Sequence, residues 1–556
     1  MKSDRPAPQP GEPDAQPDGA PGASGAAEQP RGNHGVEIPD GFAGNAEQAT
    51  TLLEQLVADR GLFSGLDPEL QRRLLTAAGR VSRPERDEQK RLARVERRRR
   101  HAEKRARREA TLNATGIRQL RSQPAFPVLP KDTAERPQPK APDPGPEREL
   151  TEPRNCYVCK ADFTRLHGFY DAMCPECAAF NWDKRHQSAD LHGRVVVITG
   201  ARVKIGYQAG LKLLRAGAHV VVTTRFPRDA AERYAAEGDF DEFSQRLEIY
   251  GLDLRHTPSV EAFCHHMMER HDRLDFILNN ACQTVRRPPG FYGHLMEAEA
   301  QPVGELPAET RGPLAAFEKL RSEHTAQARA LDVADDALRA NDGDGDGDGD
   351  AELSGLRRSA ELSQVPLVEG DLEAGNRLFP VGELDADLQQ VDLREINSWR
   401  LGLADVSSVE LLEVHLVNAV APFVLNARLK PLMLRTADRD KHIVNVSAME
   451  GQFYRSFKTD KHPHTNMAKA ALNMMTRTSA PDYAKDGIHM NAVDTGWITD
   501  EDPAETAARK REVHGFHPPL DIVDAAARIC APIFDGLNTG EHESGLFLKD
   551  YKPTRW

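Results

Sequence analysis

Short runs of apolar, often β-branched residues recur from about residue 195 to the end of the chain, separated by segments of helical length. The first run is Val195–Ile198, and the next covers Ala218–Thr224 after a helix-length gap. Continuous apolar runs are typical of parallel strands that are buried on both faces, and a crossover of this length makes a βαβ unit. The pattern therefore predicts an α/β fold built on a parallel sheet.

Further runs extend the same pattern. Leu247–Leu254 and Leu274–Ala281 are predicted to form the third and fourth strands, and His442–Ser447 and Gly545–Asp550 two later ones. Leu411–Leu434 has helical periodicity. Since successive strands alternate with helices, the sheet is expected to carry helices on both faces.

The turn after the first strand has glycines at Gly200 and Gly206. Glycine allows a sharp backbone bend and a close approach to a ligand, and a helix that begins here would direct its N-terminus at a pyrophosphate. An ordinary strand-to-helix turn is the alternative interpretation of these residues.

The residues before the sheet differ in composition. The chain has 556 residues and a formal net charge of −13, and residues 1–45 lack any apolar periodicity, which predicts disorder. Residues 46–122 are predicted to form a helical hairpin (Ala46–Ala58 and Pro68–Ala78) followed by a basic helix, and the proline-rich residues 123–153 a linker. No apolar run approaches the length that crosses a bilayer, so we expect a cytoplasmic protein without membrane contact.

The basic helix, Glu85–Glu109, has Arg97–Arg100 at its centre. It either contacts RNA, phosphate or anionic lipid, or it is a solvated helix with internal ion pairs. The absence of interleaved aromatic residues and the negative net charge favour the solvated helix, because base stacking needs aromatic faces.

Four cysteines lie in two Cys-x-x-Cys pairs within residues 154–188. Cys156 and Cys159 are separated by fourteen residues from Cys174 and Cys177. Two such pairs are typical of tetrahedral thiolate zinc, which leaves no open coordination position for catalysis. The spacing predicts a structural Zn²⁺ site in a small module, with unligated or redox-active thiols as the alternative.

From about Leu191 onward the order of motifs resembles the short-chain dehydrogenase/reductase family. The glycine turn, Asp253 after the third strand and Asn279-Asn280-Ala281 after the fourth match its motifs, and NAVDTGWIT (Asn491–Thr499) resembles its segment beside the nicotinamide. The resemblance implies a Rossmann-type doubly wound sheet over residues 189–556. It implies these cofactor-binding residues: Thr199, Gly200, Arg202, Lys204, Ile205, Gly206, Arg225, Asp253, Leu254, Asn280, Ala281, Lys469, Thr495, Gly496 and Ile498.

The same resemblance implies catalytic positions at Asn418, Ser447, Thr465 and Lys469. The family has a proton-transferring tyrosine four residues before its lysine, but this chain has Thr465 there. An aliphatic hydroxyl is a much weaker acid than a phenol, so Thr465 cannot simply take that role. Another group, His464 or Tyr454, supplies the proton; or the reaction needs no such acid, as in reduction of an activated alkene; or the domain binds nucleotide without turnover.

The predicted second strand ends at Thr224-Arg225, without the acid that family members preferring NAD carry there. Arg225 is suited to a 2′-phosphate because its planar fork pairs with phosphate oxygens, and Lys204 in the glycine turn adds a second cation. The alternative interpretation is that each of these two side chains is a solvated surface charge. We therefore expect NADP(H) in preference to NAD(H).

An insertion at about 285–395 interrupts the family pattern and contains an Asp-Gly alternation at residues 342–350, which suggests flexible sequence or a loose calcium site. The resemblance implies an NAD(P)-dependent oxidoreductase acting on an unknown small carbonyl or activated alkene, with homo-oligomers as the family's usual assembly. A catalytically silent NADP(H)-binding sensor or scaffold is the alternative, and nucleic-acid binding through the basic helix is a less favoured one.

Overall fold

The computed structural model describes residues 39, 41–121, 143–322, 356, 358–373, 377–385, 389–454, 458–499, 501–503, 506, 509–510 and 517–556. The segment predicted to be disordered and the Asp-Gly alternation therefore lie, apart from a few residues, outside the described part of the chain. Internal contacts divide the chain into two units, Met1–His101 and Ala102–Trp556.

The first unit is helical. It contains α1 (Phe42–Ala58), α2 (Gly61–Ser64) and α3 (Pro68–Ser82), followed by the start of α4 (Arg86–Asn113). The carboxylate of Asp67 caps α3 by accepting from the backbone N–H groups of Glu69 and Leu70 at 3.0 and 3.2 Å. No residue of α1, α2 or α3 is buried, so these helices have no core of their own in the structure.

The second unit begins with a small module. Its elements are α5 (Gly116–Leu120), the antiparallel strands β1 (Arg148–Asn155) and β2 (Asp162–Leu166), and α6 (Pro175–His186). β1 thus starts inside the segment predicted to be a linker. The module has an apolar core that includes Phe163, Phe169 and Tyr170.

An eight-stranded sheet forms the centre of this unit. Its strands are β3 (Val195–Thr199), β4 (His219–Thr224), β5 (Leu247–Gly251), β6 (Phe276–Asn279), β7 (Lys441–Ser447), β8 (Ile488–Asp494), β9 (Phe547–Lys549) and β10 (Lys552–Thr554). Their spatial order is β5-β4-β3-β6-β7-β8-β9-β10, and all pair in parallel except β10 with β9. The predicted doubly wound α/β fold is confirmed.

Helices cover the sheet. They are α7 (Lys204–Arg215), α8 (Pro227–Ala235), α9 (Phe240–Phe243), α10 (Thr257–Arg270), α11 (Pro289–Tyr292), α12 (Met296–Ala300), α13 (308–322), α14 (Gly370–Glu373), α15 (Ser408–His415), α16 (Ala421–Met433), α17 (Pro463–Lys485) and α18 (Ile522–Thr539). Helices α11 to α14 belong to the insertion, so its described part is partly folded. Aromatic residues of the insertion, Phe291, Tyr292 and Phe379, pack with Phe226 at the start of α8.

Helices α15 and α16 are joined by a π-helical turn, Leu416–Val420, which contains Asn418. Together they form a 26-residue helix that is apolar enough to cross a membrane by length and composition, which corrects the expectation that no run reaches that length. Leu425, Leu429, Leu432 and Met433 of this helix belong to the buried core beside the sheet. Core helices of soluble proteins pass the same test, so the observation assigns no membrane contact.

Candidate functional site

A cavity of about 350 Å³ opens at the carboxyl ends of β3 and β6. β3 pairs with β4 on one side and β6 on the other, so the strand order reverses between β3 and β6. Such a switch point is where doubly wound sheets bind ligands. Eleven of the fifteen predicted cofactor residues line this cavity; Thr199, Lys469, Thr495 and Gly496 do not.

The glycine turn forms the floor of the cavity. Gly200 has φ +67°, and a Cβ there would lie 2.8 Å from Cα of Ala281. A Cβ on Gly206 would lie 2.4 Å from both Asn280 Nδ2 and the Gly200 carbonyl oxygen. The turn therefore requires glycine at both positions, because strand β3, the turn and the residues after β6 are in contact.

Helix α7 begins at this turn with features of an anion site. No side chain caps its N-terminus, and its first turn contains no acidic residue. The first N–H groups of a helix are satisfied by caps, water or ligands, and the helix dipole favours a negative charge there. The cavity next to α7 thus fits the pyrophosphate of a dinucleotide.

Thr199 and Asn280 hold the turn together from behind the cavity. The hydroxyl of Thr199 accepts from the backbone N–H groups of Asn280 and Ala281 at 3.1 and 3.0 Å. The amide of Asn280 donates to the carbonyls of Thr199 and Gly200 at 3.0 and 3.2 Å. The Asn-Asn-Ala motif therefore fixes the turn by direct hydrogen bonds.

Arg225 lies on the cavity wall after β4. Its guanidinium donates to the hydroxyl of Tyr292 at 2.6 Å and lies 4.5 Å from the centre of the Tyr292 ring. Tyr292 comes from the insertion and also lines the cavity. Tyr292 of the insertion thus orients Arg225, the residue predicted to bind a 2′-phosphate.

The carboxylate of Asp253 is held by hydrogen bonds from a neighbouring arginine. Arg255 donates to both of its carboxylate oxygens and to Glu413 on α15, with Nη2–Oδ2 of Asp253 at 2.7 Å and Nη1–Oε1 of Glu413 at 2.6 Å. Burial acts to raise the pKa of Asp253, but the Arg255 charge outweighs it and the pKa lies below its usual range. Asp253 is therefore ionised, and Arg255 is the adjacent cavity cation.

Two other cavity cations have acidic neighbours. Arg202 is buried and donates to Asp229 at 2.5 Å and to Gln389 of the insertion at 2.8 Å. Burial acts to raise the pKa of Glu501, and the charge of the nearby Lys204 acts to lower it. The pKa of Glu501 lies below its usual value. Arg202 is thus held within the protein, and Lys204 shares the cavity with a carboxylate.

Asn418 lies in the π-helical turn and binds the chain that follows β6. Its side-chain oxygen accepts from the N–H of Gln283 at 2.7 Å, and its amide donates to the Gln283 carbonyl at 3.2 Å. Val417 and Gln283 both line the cavity. π-Turns occur often at functional sites, and this one places the asparagine against the cavity wall.

Ser447 and Lys469 come together at the end of β7. Ser447 Oγ donates to Asn473 Oδ1 at 2.5 Å, and Lys469 Nζ donates to the Val446 carbonyl at 2.8 Å. Lys469 and Asn473 are one turn apart on α17, and all three side chains are buried. Asn473 was not predicted, since nothing in its local sequence distinguishes it.

Thr465 lies one turn before Lys469 on α17. It is 3% exposed, and its hydroxyl has no hydrogen-bond partner in the described structure. His464 is also buried, with Nε2 3.3 Å from Glu410 Oε1, close enough for an ion pair, although neither atom makes a well-aligned hydrogen bond in the described structure. Tyr454 is 44% exposed, with its hydroxyl 3.5 Å from that of Thr554. His464 is therefore the more enclosed of the two alternative proton donors.

Residues 495–498 run from the end of β8 along the module. Gly496 has φ +80°, and the N–H of Trp497 donates to the hydroxyl of Tyr157 at 3.1 Å. Ile498 lines the cavity and is part of the apolar core of the module. These residues are therefore placed by the module as well as by the sheet.

The four cysteines of the module form a cluster. Their sulfur atoms all lie within 4.8 Å of one another, and Cys159 and Cys174 are 3.7 Å apart. A tetrahedron with Zn–S distances of 2.3 Å has edges of about 3.8 Å. The N–H of Cys174 donates to the sulfur of Cys156 at 3.3 Å, which favours a thiolate. The cluster could hold a metal ion of this kind.

Comparison with known proteins agrees with this geometry. Residues 194–297 match the family model described as short chain dehydrogenase, and residues 397–518 match the one described as enoyl-(acyl carrier protein) reductase. An uncharacterized protein of Acanthamoeba polyphaga mimivirus is 29% identical over 395 residues, covering 69% of this chain and 72% of that protein. Human retinol dehydrogenase 14 is 33% identical over 120 residues, so the match covers 35% of its length.

Among solved structures, a Pseudomonas aeruginosa RhlG/NADP active-site complex is similar, with 14% identity, a TM-score of 0.37 and coverage of 65% of this chain and 95% of that one. The first matched segment contains the glycine turn and extends to residue 297, at the start of the insertion, and the second, after the insertion, contains Ser447 and Lys469. Two segments, which together make up less than half of the chain, thus match models of the short-chain dehydrogenase/reductase family, and these matches support the sequence-based resemblance.

Proposed function

We propose that the protein binds NADP(H) in the cavity at the β3–β6 switch point and transfers hydride to a small carbonyl compound or activated alkene. One observation carries the proposal: the uncapped N-terminus of α7 and the Arg225 guanidinium line the same cavity. The first suits a pyrophosphate and the second a 2′-phosphate. When bound, NADPH supplies the hydride.

The fit to a 2′-phosphate rests on Arg225 rather than on Arg202. Arg202 is already paired with Asp229 and Gln389, whereas the Arg225 guanidinium donates to the neutral hydroxyl of Tyr292. Asp253 also interacts electrostatically with Arg225, but its carboxylate is hydrogen-bonded to Arg255, so the Arg225 fork can still pair with a phosphate.

Ser447 is the group we assign to the substrate oxygen. Asn473 accepts a hydrogen bond from Ser447 in the described structure, and Lys469, one turn before Asn473 on α17, is the cation that we assign to stabilising negative charge on the substrate oxygen. Asn418 keeps the Gln283 backbone in place at the cavity wall. These residues therefore hold and polarise a substrate without a phenol.

The proton donor in this proposal is not Thr465. Its hydroxyl is a poor acid and has no hydrogen-bonded base in the described residues that would activate it. His464, buried beside Glu410, is the donor that we assign if the product needs a proton from the protein. A reaction on an activated alkene takes its proton from water instead.

The test uses NADPH deuterated at C4 and a panel of aldehydes, ketones and enones with the full chain. The expected result is deuterium on the product carbon, detected by mass spectrometry, with a parallel loss of NADPH absorbance. NADPH that binds but transfers no deuterium to any member of a broad panel would contradict the hydride-transfer part of the proposal.

The buried, unpartnered hydroxyl of Thr465 favours a second candidate, a nucleotide-binding sensor or scaffold without turnover. In that case NADP⁺ and NADPH would bind, and their difference would be read by a protein partner. The deuterium experiment separates the two candidates, because only an enzyme labels product.

We also propose that Cys156, Cys159, Cys174 and Cys177 hold a structural Zn²⁺. Four thiolates fill a tetrahedral shell, so the ion would stabilise the module and take no part in hydride transfer. Near-stoichiometric zinc in purified protein, lost in a Cys159→Ser variant, is the expected result, and metal-free, fully folded protein would contradict it.

A further inference from the structure

We infer that the four-cysteine module is a metal-dependent support for one wall of the dinucleotide cavity, so that metal occupancy and nucleotide affinity are coupled. The inference rests on the proposed nucleotide site, and it assigns a role to residues of the module that otherwise lie outside the family's fold.

The first link is a hydrogen bond from within the cysteine cluster. Tyr157 lies between Cys156 and Cys159, and its hydroxyl accepts from the N–H of Trp497 at 3.1 Å. A Cβ on Gly496 would lie 3.1 Å from the same hydroxyl and 2.5 Å from Leu520. The loop after β8 is therefore in close contact with the metal-binding turn.

The second link is apolar. The core of the module includes Ile498, and Ile205 and Ile522 pack against it. All three isoleucines also line the cavity. One face of each residue therefore depends on the module, and the other forms the surface that a dinucleotide would contact.

The third link is ionic and lies at the start of α18. Arg185 on α6 donates to both oxygens of Asp521 at 2.6 and 2.8 Å, and Tyr170 donates to Asp524 at 2.6 Å. Asp521 in turn caps α18 by accepting from the N–H groups of Val523 and Asp524, each at 2.9 Å. The module thus also fixes the helix end that carries Ile522.

These links make the cysteine cluster the source of order for the module face that contacts the cavity. A small domain of this size needs a staple to hold its core, and a bound metal contributes folding free energy directly. Loss of the ion would loosen Tyr157 and the aromatic core first, and with them Gly496–Ile498 and Ile522. If these wall residues become ordered only when the nucleotide binds, the entropy cost of ordering them lowers the affinity for the nucleotide.

The test measures NADPH affinity of the full chain by calorimetry, zinc-loaded and after removal of the metal with chelator. The expected result is a Kd raised about tenfold or more in the metal-free protein, since several wall residues lose their support together. Equal affinities in the two states would overturn the inference and leave the nucleotide site intact.

A Tyr157→Phe variant tests the link without removing the metal. It keeps all four cysteines and loses one hydrogen bond, so we expect unchanged zinc content and a Kd for NADPH raised about 2- to 10-fold, the equivalent of one hydrogen bond. Tyr483→Phe is the matched control, because it loses a tyrosine hydrogen bond to the Asn426 carbonyl on the far helices and should bind as wild type. Wild-type affinity in Tyr157→Phe would contradict the inference.

Hydrogen exchange gives a reading that does not need nucleotide. Metal removal should increase exchange in a peptide covering residues 494–499 and leave one covering residues 218–224, in β4, unchanged. If the loaded protein bound no dinucleotide but exchange at 494–499 still followed the metal, the proposed function would fail while the module–wall contact stood. Unchanged exchange at 494–499 would refute the contact itself.

Discussion

The two halves of the site differ in how they keep the family pattern. On the nucleotide side, the glycine turn, Asn280 and the uncapped α7 line an open cavity. On the proposed reacting side, Ser447 and Lys469 are buried and hydrogen-bonded to Asn473 and the Val446 carbonyl, and Thr465 occupies the position at which the resemblance implies a tyrosine. We therefore expect nucleotide binding and proton transfer to be separable by mutation.

The difference shows which constraint acts on each half. Cofactor binding needs a backbone shape, and that shape depends on glycines whose Cβ atoms would collide with neighbouring atoms. Proton transfer needs one acid of suitable pKa, and that group can change while the fold stays the same. Variants that affect one half and spare the other are therefore the informative ones.

The largest effect is expected from Ser447→Ala. On any substrate that the protein turns over, kcat should fall about 100- to 1000-fold, because a donor to the developing oxygen charge is lost. The Kd for NADPH should stay within about twofold of wild type, since Ser447 does not line the cavity. Stopped-flow kinetics and calorimetry measure the two quantities, and a parallel loss of both would show that the halves are not separable.

Gly206→Ala should act on the other half. The added Cβ would meet Asn280 Nδ2 and the Gly200 carbonyl oxygen at 2.4 Å, so the turn must shift at a cost of about 1–3 kcal/mol. If that cost falls on the bound state, NADPH affinity drops about 5- to 150-fold. Gly293→Ala is the control, because no atom lies within 4 Å of its Cβ; similar affinities for the two variants would argue against the turn as the pyrophosphate site.

Arg225→Ala sharpens the assignment of cofactor within the nucleotide half. Loss of a charge-assisted contact to phosphate should raise the Kd for NADPH about tenfold or more. The Kd for NADH, which has no 2′-phosphate, is the internal control and should change little. An unchanged Kd for NADPH in Arg225→Ala would show that Arg225 does not contact the 2′-phosphate.

Asp494 is the last residue of β8, and burial raises its pKa to about 6. A carboxyl whose pKa is higher in the folded protein than in the unfolded chain stabilises the folded state at low pH, where it is protonated. This contribution to the free energy of unfolding disappears as pH rises from about 4 to above 6. A change of about two in pKa corresponds to about 3 kcal/mol at most. Asp494→Asn should therefore raise the melting temperature at pH 8 more than at pH 4.5, whereas Asp460→Asn, an exposed carboxyl, should not.

The smallest effect is expected from Thr465→Val. Its hydroxyl has no partner in the described structure, so its removal should change kcat less than about twofold and leave stability nearly unaltered. The paired variant His464→Gln should lower kcat and shift its pH profile if His464 supplies the proton. A large loss of kcat in Thr465→Val would place the threonine in the chemistry after all.

Much of the nucleotide half could be predicted from the sequence because its signals are local. The six predicted strands end within a few residues of the predicted positions, and the glycine turn, Asp253 and Asn280 line one cavity. The pairing of Asp253 with Arg255, two residues away, was within reach of the same reasoning but was not predicted.

What the sequence did not predict depends on contacts between distant residues. Tyr292 and Gln389 come from an insertion that has no recognisable motif, and Tyr157 meets Trp497 across 340 positions. Nothing local shows that Ser447 binds Asn473. Periodicity and motif order report local structure, whereas these partners are decided by packing.

The most direct test of the account is a titration of the zinc-loaded full chain with NADPH and, separately, with NADH. We expect saturable binding of one NADPH per chain and a Kd for NADH at least about tenfold higher, the difference expected from one phosphate–guanidinium contact. Binding of neither nucleotide would contradict the assignment of the cavity, and a preference for NADH would contradict the role given to Arg225.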